Sequence, residues 1–500
     1  MPDVPPNVLV IMADQMRATT SHVYGNPYCT TPGLARLVRE GVQFDTAITP
    51  HPLCVPARTS FWTSRWSHAH GVRLNQDFMP LDAHHAFQTW HEAGFQTALI
   101  GKDHCFERPE HRTHFDVRCT IGHEGRIEND PPTGFSWSQP NEAIDAAHHR
   151  RRAMPQQAAA VSYAISGVDP AATSTGLVTD TTLEWLENGI DHERPFAAWI
   201  SYPDPHTPYE VPREWAATID PTSIVVPEPL HHDLPGLPER TGILIDLLGT
   251  SDASHEDVLG LIATYHAMVK FLDHGLERIL ATLDRLNLRE RTIVVFCSDH
   301  GDFTGELGLT RKGGAFYDAM VRVPLIVSWP GHVPQGARDA SPVNLIDVVP
   351  TLLHLQGIDA PSSMQGRLLP TITPATPAPH TFSEYGAGLP LMTRTDLGDL
   401  TGLRGAKASL AWREAEGRRR MVRTVDHKYV TDPMGDLDEL YDLRSDPHER
   451  INLAYDPAYA TLTQSLRRAL DDWRVDAVER QPTHLPEATL HTPPPKGHTT

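Results

Sequence analysis

The stretch NVLVIMADQ, Asn7 to Gln15, decides how the rest of the chain reads. A strand with one wet face alternates apolar and polar residues. A strand covered on both faces is apolar almost throughout. Asn7 to Ala13 is of the second kind, and it stops abruptly at a carboxylate and an amide, Asp14 and Gln15. Outward from it, similar runs recur at Gln96–Ile100 (QTALI), Phe196–Ser201 (FAAWIS), Thr292–Cys297 (TIVVFC) and Pro324–Ser328 (PLIVS). Helical stretches lie between them. The clearest runs from about Glu256 to Leu286, where Leu261, Tyr265, Met268, Leu272, Leu276, Ile279 and Leu283 recur at three- and four-residue spacings and make one buried face. Strands alternating with helices predict an α/β fold: a large, mainly parallel sheet flanked by helices on both sides.

A chain of 500 residues exceeds one small core. We divide it into a catalytic α/β domain over 1–375 and a smaller C-terminal α+β subdomain over 376–500, beginning after the Pro- and Thr-rich TITPATPAPH. The second part carries strand-like segments at Met421–Thr424 and Lys428–Thr431. A helix is predicted from Ala458 to Val475, with Leu462, Leu466, Leu470 and Trp473 on one face. Residues 120–178 are polar and rich in His and Pro, and read as an insertion over one end of the sheet. Its basic run, His148-His149-Arg150-Arg151-Arg152, reads as a solvated loop or as a lid that steers anions. From Gln481 the chain is Pro-rich and too polar to form a core; it reads as a loose tail or as an arm packing on a neighbouring subunit.

Apolar residues make up 40 % and charged residues 21 %, an ordinary globular balance. A formal net charge of −20 argues against a nucleic-acid partner, which would need a basic face. It leaves an anionic substrate open, because one pocket can be basic on an acidic protein. The cysteines (29, 54, 105, 119, 297) are odd in number and form no CxxC pair, so a disulfide framework is not expected and a reducing compartment fits. No basic leader precedes a long apolar run, and Val8–Ala13 is too short to span a membrane. A cytoplasmic protein without a membrane partner is expected. Of the 29 histidines, only those within motifs bear on function.

Five segments carry chemistry, and four of them come at or soon after an expected strand end, where sites gather in open α/β sheets. They are Asp14-Gln15, Asp299-His300, Cys54-Val55-Pro56-Ala57-Arg58 continued by Thr63-Ser64-Arg65, Gly101-Lys102-Asp103-His104, and Pro205-His206-Thr207-Pro208-Tyr209. Carboxylates with amide and imidazole neighbours suit a divalent cation. Each pair alone reads equally well as a helix cap, and a lone Cys, Lys or His as an ordinary buried or solvated residue.

Together they resemble the sulfatase family. The string C-x-P-x-R-x4-T-x-R from Cys54 to Arg65 matches its signature, and ELYDLRSDPHERINL (Glu439–Leu453) is similar to its C-terminal segment. The resemblance covers residues 7 to 455 and implies an alkaline-phosphatase-like fold. It implies that Cys54 is oxidised to formylglycine by a formylglycine-generating enzyme, and that the hydrated aldehyde is the nucleophile. One hydroxyl of that diol attacks sulfur; the other then expels sulfate as the aldehyde re-forms. Asp14, Gln15, Asp299 and His300, with the modified Cys54, would hold one divalent metal: calcium first, manganese or magnesium as alternatives. Arg58 would steady the diol. Lys102 and Lys312 would grip the sulfate, His206 with Lys312 would protonate the leaving alcohol, and His104 would assist expulsion. Asn75 would join Lys102, His206 and Lys312 in contacting the substrate. Similar cytoplasmic members are oligomers, so a homo-oligomer is expected.

Departures narrow the reading. Many sulfatases have Asp-Asp and Asp-Asn where this chain has Asp14-Gln15 and Asp299-His300. The Gln/His pairing resembles choline-sulfatase-like members and also phosphonate monoester hydrolases. The intact Lys102-x-His104 favours a sulfate monoester; a phosphonate monoester or phosphodiester is the alternative. An unmodified-nucleophile phosphatase would need Ser or Thr at position 54, and a catalytically dead binding protein would not need every charged position present. Trp62, His68, His70, Tyr209 and the insertion are candidates to line the pocket for the alcohol, and each reads equally as core or solvated.

Overall fold

The structure, a computed structural model, describes residues 5–123, 161–229, 235–251, 253–390 and 416–475, with short pieces between 125 and 150 and Thr393. Nine strands form the main sheet: β1 (Asn7–Ala13), β2 (Gly41–Ile48), β3 (Gln96–Gly101), β4 (Val117–Gly122), β5 (Gly125–Arg126), β6 (Phe196–Ser201), β7 (Thr292–Ser298), β8 (Leu325–Ser328) and β9 (Ala337–Asn344). Their order is β9-β2-β8-β7-β1-β6-β3-β4-β5. The strand read first in the sequence sits near the middle, parallel to β7 and β6, with Leu9 paired to Val294 on one side and Ala198 on the other.

Successive side chains of β1 point to opposite faces, and each face has its own core. Leu9, Ile11 and Ala13 pack with residues of α1 (Pro32–Arg39), α3 (Ser174–Asn188) and α4 (His255–Arg285). Val8, Val10 and Met12 pack with Trp62 of α2 (Cys54–Thr63), with Phe87 and Trp90, and with Leu352 of α5 (Val348–Leu355). All seven periodic residues of the long helix, from Leu261 to Leu283, are buried. Ser254 and Asp257 close a capping box at its start, which satisfies amides no helical carbonyl can reach.

One expected strand runs the other way. PLIVS forms β8, but it is antiparallel to both β2 and β7. After β7 the chain stays at the carboxyl end of the sheet, making the short hairpin Phe303–Thr304/Thr310–Arg311 and a single helical turn at Asp318–Val321. No crossover carries it to the far edge, so it re-enters from the end it left.

A second sheet of four antiparallel strands follows: β10 (Thr381–Tyr385), β11 (Arg419–Arg423), β12 (His427–Thr431) and β13 (Glu439–Asp442), adjacent in chain order. Helix α6 (Ala460–Val475) sets Leu466, Leu470 and Trp473 on Phe382, Val422, Tyr429 and Leu440. This sheet is tied to the segment before Cys54 by the Glu384 amide, which donates to the Pro50 carbonyl at 3.0 Å. The tail from Gln481 and, within the 120–178 insertion, residues 124, 127–131, 136–144, 148 and 151–160 lie outside the described residues. Within the basic run, Arg150 is described and pairs with Glu210.

Candidate active site

Register brings the first two motifs together. Ala13 of β1 is level with Ser298 of β7, so the residues that leave both strands, Asp14-Gln15 and Asp299-His300, meet at one sheet end. The Gln15 amide donates to Asp299 Oδ1 at 2.9 Å and the Met16 amide to Ser298 Oγ at 2.8 Å. Gln15 takes a left-handed backbone, φ +66°, which a side chain other than glycine adopts at some cost. β3 and β6 behave likewise: Gly101 is level with Ser201, and the Lys102 amide donates to the Ser201 carbonyl at 2.8 Å. Gly101 has φ +109°, and a Cβ there would stand 1.9 Å from that carbonyl oxygen. Only glycine lets the chain pass so close and deliver Lys102.

Cys54 is the first residue of α2, at the helix end where unpaired amides favour negative charge. Arg58 lies four residues on, one turn away on the same face. Its guanidinium is fully buried, and each of its three nitrogens has a partner. Nε donates to Asp299 Oδ2 at 2.8 Å, one terminal nitrogen to Ser201 Oγ at 2.8 Å and the Lys102 carbonyl at 3.0 Å, the other to Asp14 Oδ2 at 3.2 Å. Burial opposes its charge, but Asp299 and Asp14 outweigh burial and raise its pKa.

Around Cys54 Sγ stand Lys312 Nζ at 2.8 Å, His300 Nε2 at 3.1 Å, Asp14 Oδ1 at 3.7 Å and Lys102 Nζ at 4.0 Å. Lys102 Nζ also contacts Asp14 Oδ2. Three cations (Arg58, Lys102, Lys312) thus face two carboxylates (Asp14, Asp299), a locally basic pocket on an acidic chain. Burial and Asp14 push the Cys54 thiol up, but Lys102, Lys312 and His300 outweigh them, so the net direction is down. The position is built to hold an anion.

The donor set also fits a cation. One ligand atom each of Asp14, Cys54, Asp299 and His300 lies within 4.8 Å of the others. His300 Nδ1 lies 2.8 Å from the Gly301 carbonyl and donates to it, so Nε2 faces the cluster and becomes a ligand nitrogen on losing its proton. Burial lowers the pKa of this imidazole, but Asp299 and Cys54 outweigh burial and raise it. Gln15 is fully buried, yet neither Oε1 nor Nε2 makes a hydrogen bond of ordinary geometry among the described residues. An orphaned amide oxygen beside two carboxylates is what a missing ligand atom looks like.

His206 Nδ1 lies 2.5 Å from the Thr207 carbonyl, and its Nε2 lies 3.1 Å from Lys312 Nζ. A carbonyl and an ammonium on either side fix Nδ1 as donor and Nε2 as acceptor. Burial and Lys312 hold its pKa well below the usual imidazole range. His104 is also held neutral, by burial and then Lys102, and its Nδ1 has no partner among the described residues. It makes no hydrogen bond to Cys54; its ring lies 6.5 Å from that of His123. Asn75 lies beside the start of α2, next to Cys54. Its Oδ1 accepts the Val55 amide at 3.1 Å and so braces the start of α2.

Four pocket candidates fall in the interior instead. Trp62 is sandwiched among Phe61, Phe87, Trp90 and Trp199. His68 bonds Glu384 at 3.0 Å, His70 bonds Ser60 at 2.8 Å, and Tyr209 donates to Asp302 at 2.7 Å. Conversely, sequence reading passed over His123. It follows β4 directly, and its Nε2 lies 2.9 Å from Lys102 Nζ. A histidine in a polar insertion carries no motif; its place just past a strand end was the signal.

Comparison with known proteins agrees with this geometry. Residues 6–358, well over half the chain, match the Sulfatase family profile. The chain belongs to the sulfatase family. Choline-sulfatase of Rhizobium meliloti (strain 1021) is 28 % identical over 504 residues, covering 95 % of this sulfatase and 88 % of that protein. Two solved structures share its fold. Phosphonate monoester hydrolase of Agrobacterium radiobacter superposes with a TM-score of 0.73 at 22 % identity, over 94 % of this chain and 96 % of that one. A protein solved with its substrate D-glucosamine-2-N,6-O-disulfate gives 0.73 at 21 % identity, over 94 % and 98 %. None of the five cysteines of this sulfatase is in a disulfide, and all are buried. Among the described residues no helix is long and apolar enough to cross a membrane.

Proposed function

We propose that this sulfatase hydrolyses sulfate monoesters to inorganic sulfate and an alcohol, with Cys54, oxidised to formylglycine by a maturation enzyme, as its nucleophile. One observation carries the reading: position 54 stands at a helix N-terminus between two ammonium groups, beside a four-ligand cluster. Lys102 and Lys312 are placed to grip sulfate oxygens, where fixed cations in a dry site stabilise developing charge strongly. Lys312 Nζ donates to His206 Nε2 across their 3.1 Å contact, and that couple suits protonation of the leaving alcohol. Neutral His104 suits taking a proton as sulfate departs. Arg58, gripping both carboxylates, fixes the frame.

Asp14, Gln15, Asp299 and His300 would hold one divalent cation with the modified Cys54. Calcium fits the oxygens; the imidazole also admits manganese. Bound there, it would acidify a hydroxyl and neutralise ester charge. Asp299→Ala is expected to lower bound metal from one per chain to near none, read by elemental analysis after gel filtration. Stoichiometric metal in that variant would move the site elsewhere.

The Gln15/His300 pairing supports a second reading, a phosphonate monoester hydrolase with the same nucleophile. Protein co-expressed with a formylglycine-generating enzyme, its conversion checked by peptide mass, is assayed on an aryl sulfate and the matching aryl phosphonate. We expect kcat/KM to favour the sulfate by at least about tenfold, roughly 1.4 kcal/mol of barrier. A preference for the phosphonate would replace the first reading with the second.

A further inference from the structure

β4 delivers His123 to the mouth of the site, and three contacts fix it there. Its carbonyl accepts the Ser174 hydroxyl at 2.9 Å, which ties the turn to the first residue of α3. Its Nε2 lies 2.9 Å from Lys102 Nζ. Its ring lies 4.2 Å from the His206 ring, tilted by 33°. An ammonium can only donate, so Nε2 is the acceptor and the proton of this imidazole sits on Nδ1. The same ring therefore touches the sulfate-gripping lysine through an edge and the acid-side histidine through a face.

We propose that His123 is a positioning residue of the sulfatase reaction: it gives the Lys102 ammonium, already paired with Asp14, a second acceptor that fixes its direction, and it backs the His206 ring so that Nε2 stays on Lys312. This rests on the reading above. Lys102 has Asp14 on one side and the nucleophile 4.0 Å away on another. With the His123 nitrogen removed, Asp14 is, among the described residues, the one acceptor left to the ammonium besides the nucleophile, and the ammonium is free to swing away from the place of the sulfate. With the ring removed, His206 loses support on one face and its aim at the leaving oxygen loosens. A misplacement near 1 Å costs about 10²-fold in rate.

The two contacts are separable by substitution. His123→Phe keeps a ring on His206 and deletes the acceptor; His123→Gln keeps an acceptor near Lys102 and deletes the ring. His123→Ala removes both. Matured enzyme is assayed on sulfate esters of rising leaving-group pKa, from nitrophenyl to alkyl. His123→Ala is expected to lose about 10- to 100-fold in kcat/KM, more on poor leaving groups, which need the acid most. His123→Phe should restore the wild-type leaving-group dependence while KM stays raised. His123→Gln should restore KM while the steep dependence remains. Wild-type activity in His123→Ala overturns the proposal, and so does one uniform loss across all three variants and all esters. If the wild-type enzyme prefers phosphonates, the sulfate reading fails by itself; the same three-variant pattern on phosphonate esters would then still uphold His123.

Discussion

Cys54→Ala is expected to abolish turnover, by at least about 10⁴-fold in kcat, while leaving the fold intact. The substitution deletes one sulfur atom from a fully packed position and with it every route to a formylglycine. The surrounding frame does not depend on that atom: Arg58 grips Asp299 and Asp14 directly, and the Lys102 amide is held by the Ser201 carbonyl. Stability should change by only about 1–2 kcal/mol, the range for a small deletion with some loss of paired charge. One preparation serves for both readings, hydrolysis of a nitrophenyl sulfate and thermal unfolding. Residual activity above one-hundredth of wild type would take Cys54 out of the nucleophile's role, and a collapse of the unfolding transition would make the activity loss uninformative about chemistry.

Arg58→Ala should be costly in the opposite sense, striking stability as well as rate. The guanidinium is wholly inside the protein and spends its nitrogens on two carboxylates, a hydroxyl and a carbonyl, with Trp199 5.5 Å below its plane. Its removal leaves Asp299, among the described residues, with the amides of Gln15 and His300 as hydrogen-bond donors and the His300 ring 4.0 Å away. Breaking a buried pair on one side costs about 3–5 kcal/mol, because the remaining charge stays desolvated. Urea unfolding of metal-stripped protein would show it as an earlier midpoint at unchanged slope. Arg58→Lys restores the charge but not the planar fork, and should recover less than half of the loss. A midpoint within about 1 kcal/mol of wild type in Arg58→Ala would mean water replaces the guanidinium and the frame is not held by this residue.

The sequence by itself determined the elements whose signal is local. Apolar runs with no polar alternation marked β1, β3, β6 and β7, because a strand buried on both faces admits nothing else. The two strands at the β9 side of the sheet were harder to see. GVQFDTAI alternates, and β9 carries Ser341, Pro342 and a register shift between Asp339 and Pro342, so neither has a continuous apolar signature. The motif put Cys54 and Arg58 four residues apart, and the helix that sets them on one face is seen in the structure. Asp14 and Asp299, each closing an apolar run, already marked two strand ends, although nothing local said those strands were neighbours.

Tertiary structure alone decided what depends on distance between segments far apart in the chain. It set the Ala13–Ser298 register that joins the two carboxylates, the reversed direction of β8, and the burial of Trp62, His68 and His70. It also set His123 between Lys102 and His206. The reason is physical. Periodicity and capping are fixed by neighbours within a turn or two, so they are written in consecutive residues. Contact between residues 14 and 299, or 102 and 123, is fixed by strand order, register and loop paths, to which residues along the whole chain contribute.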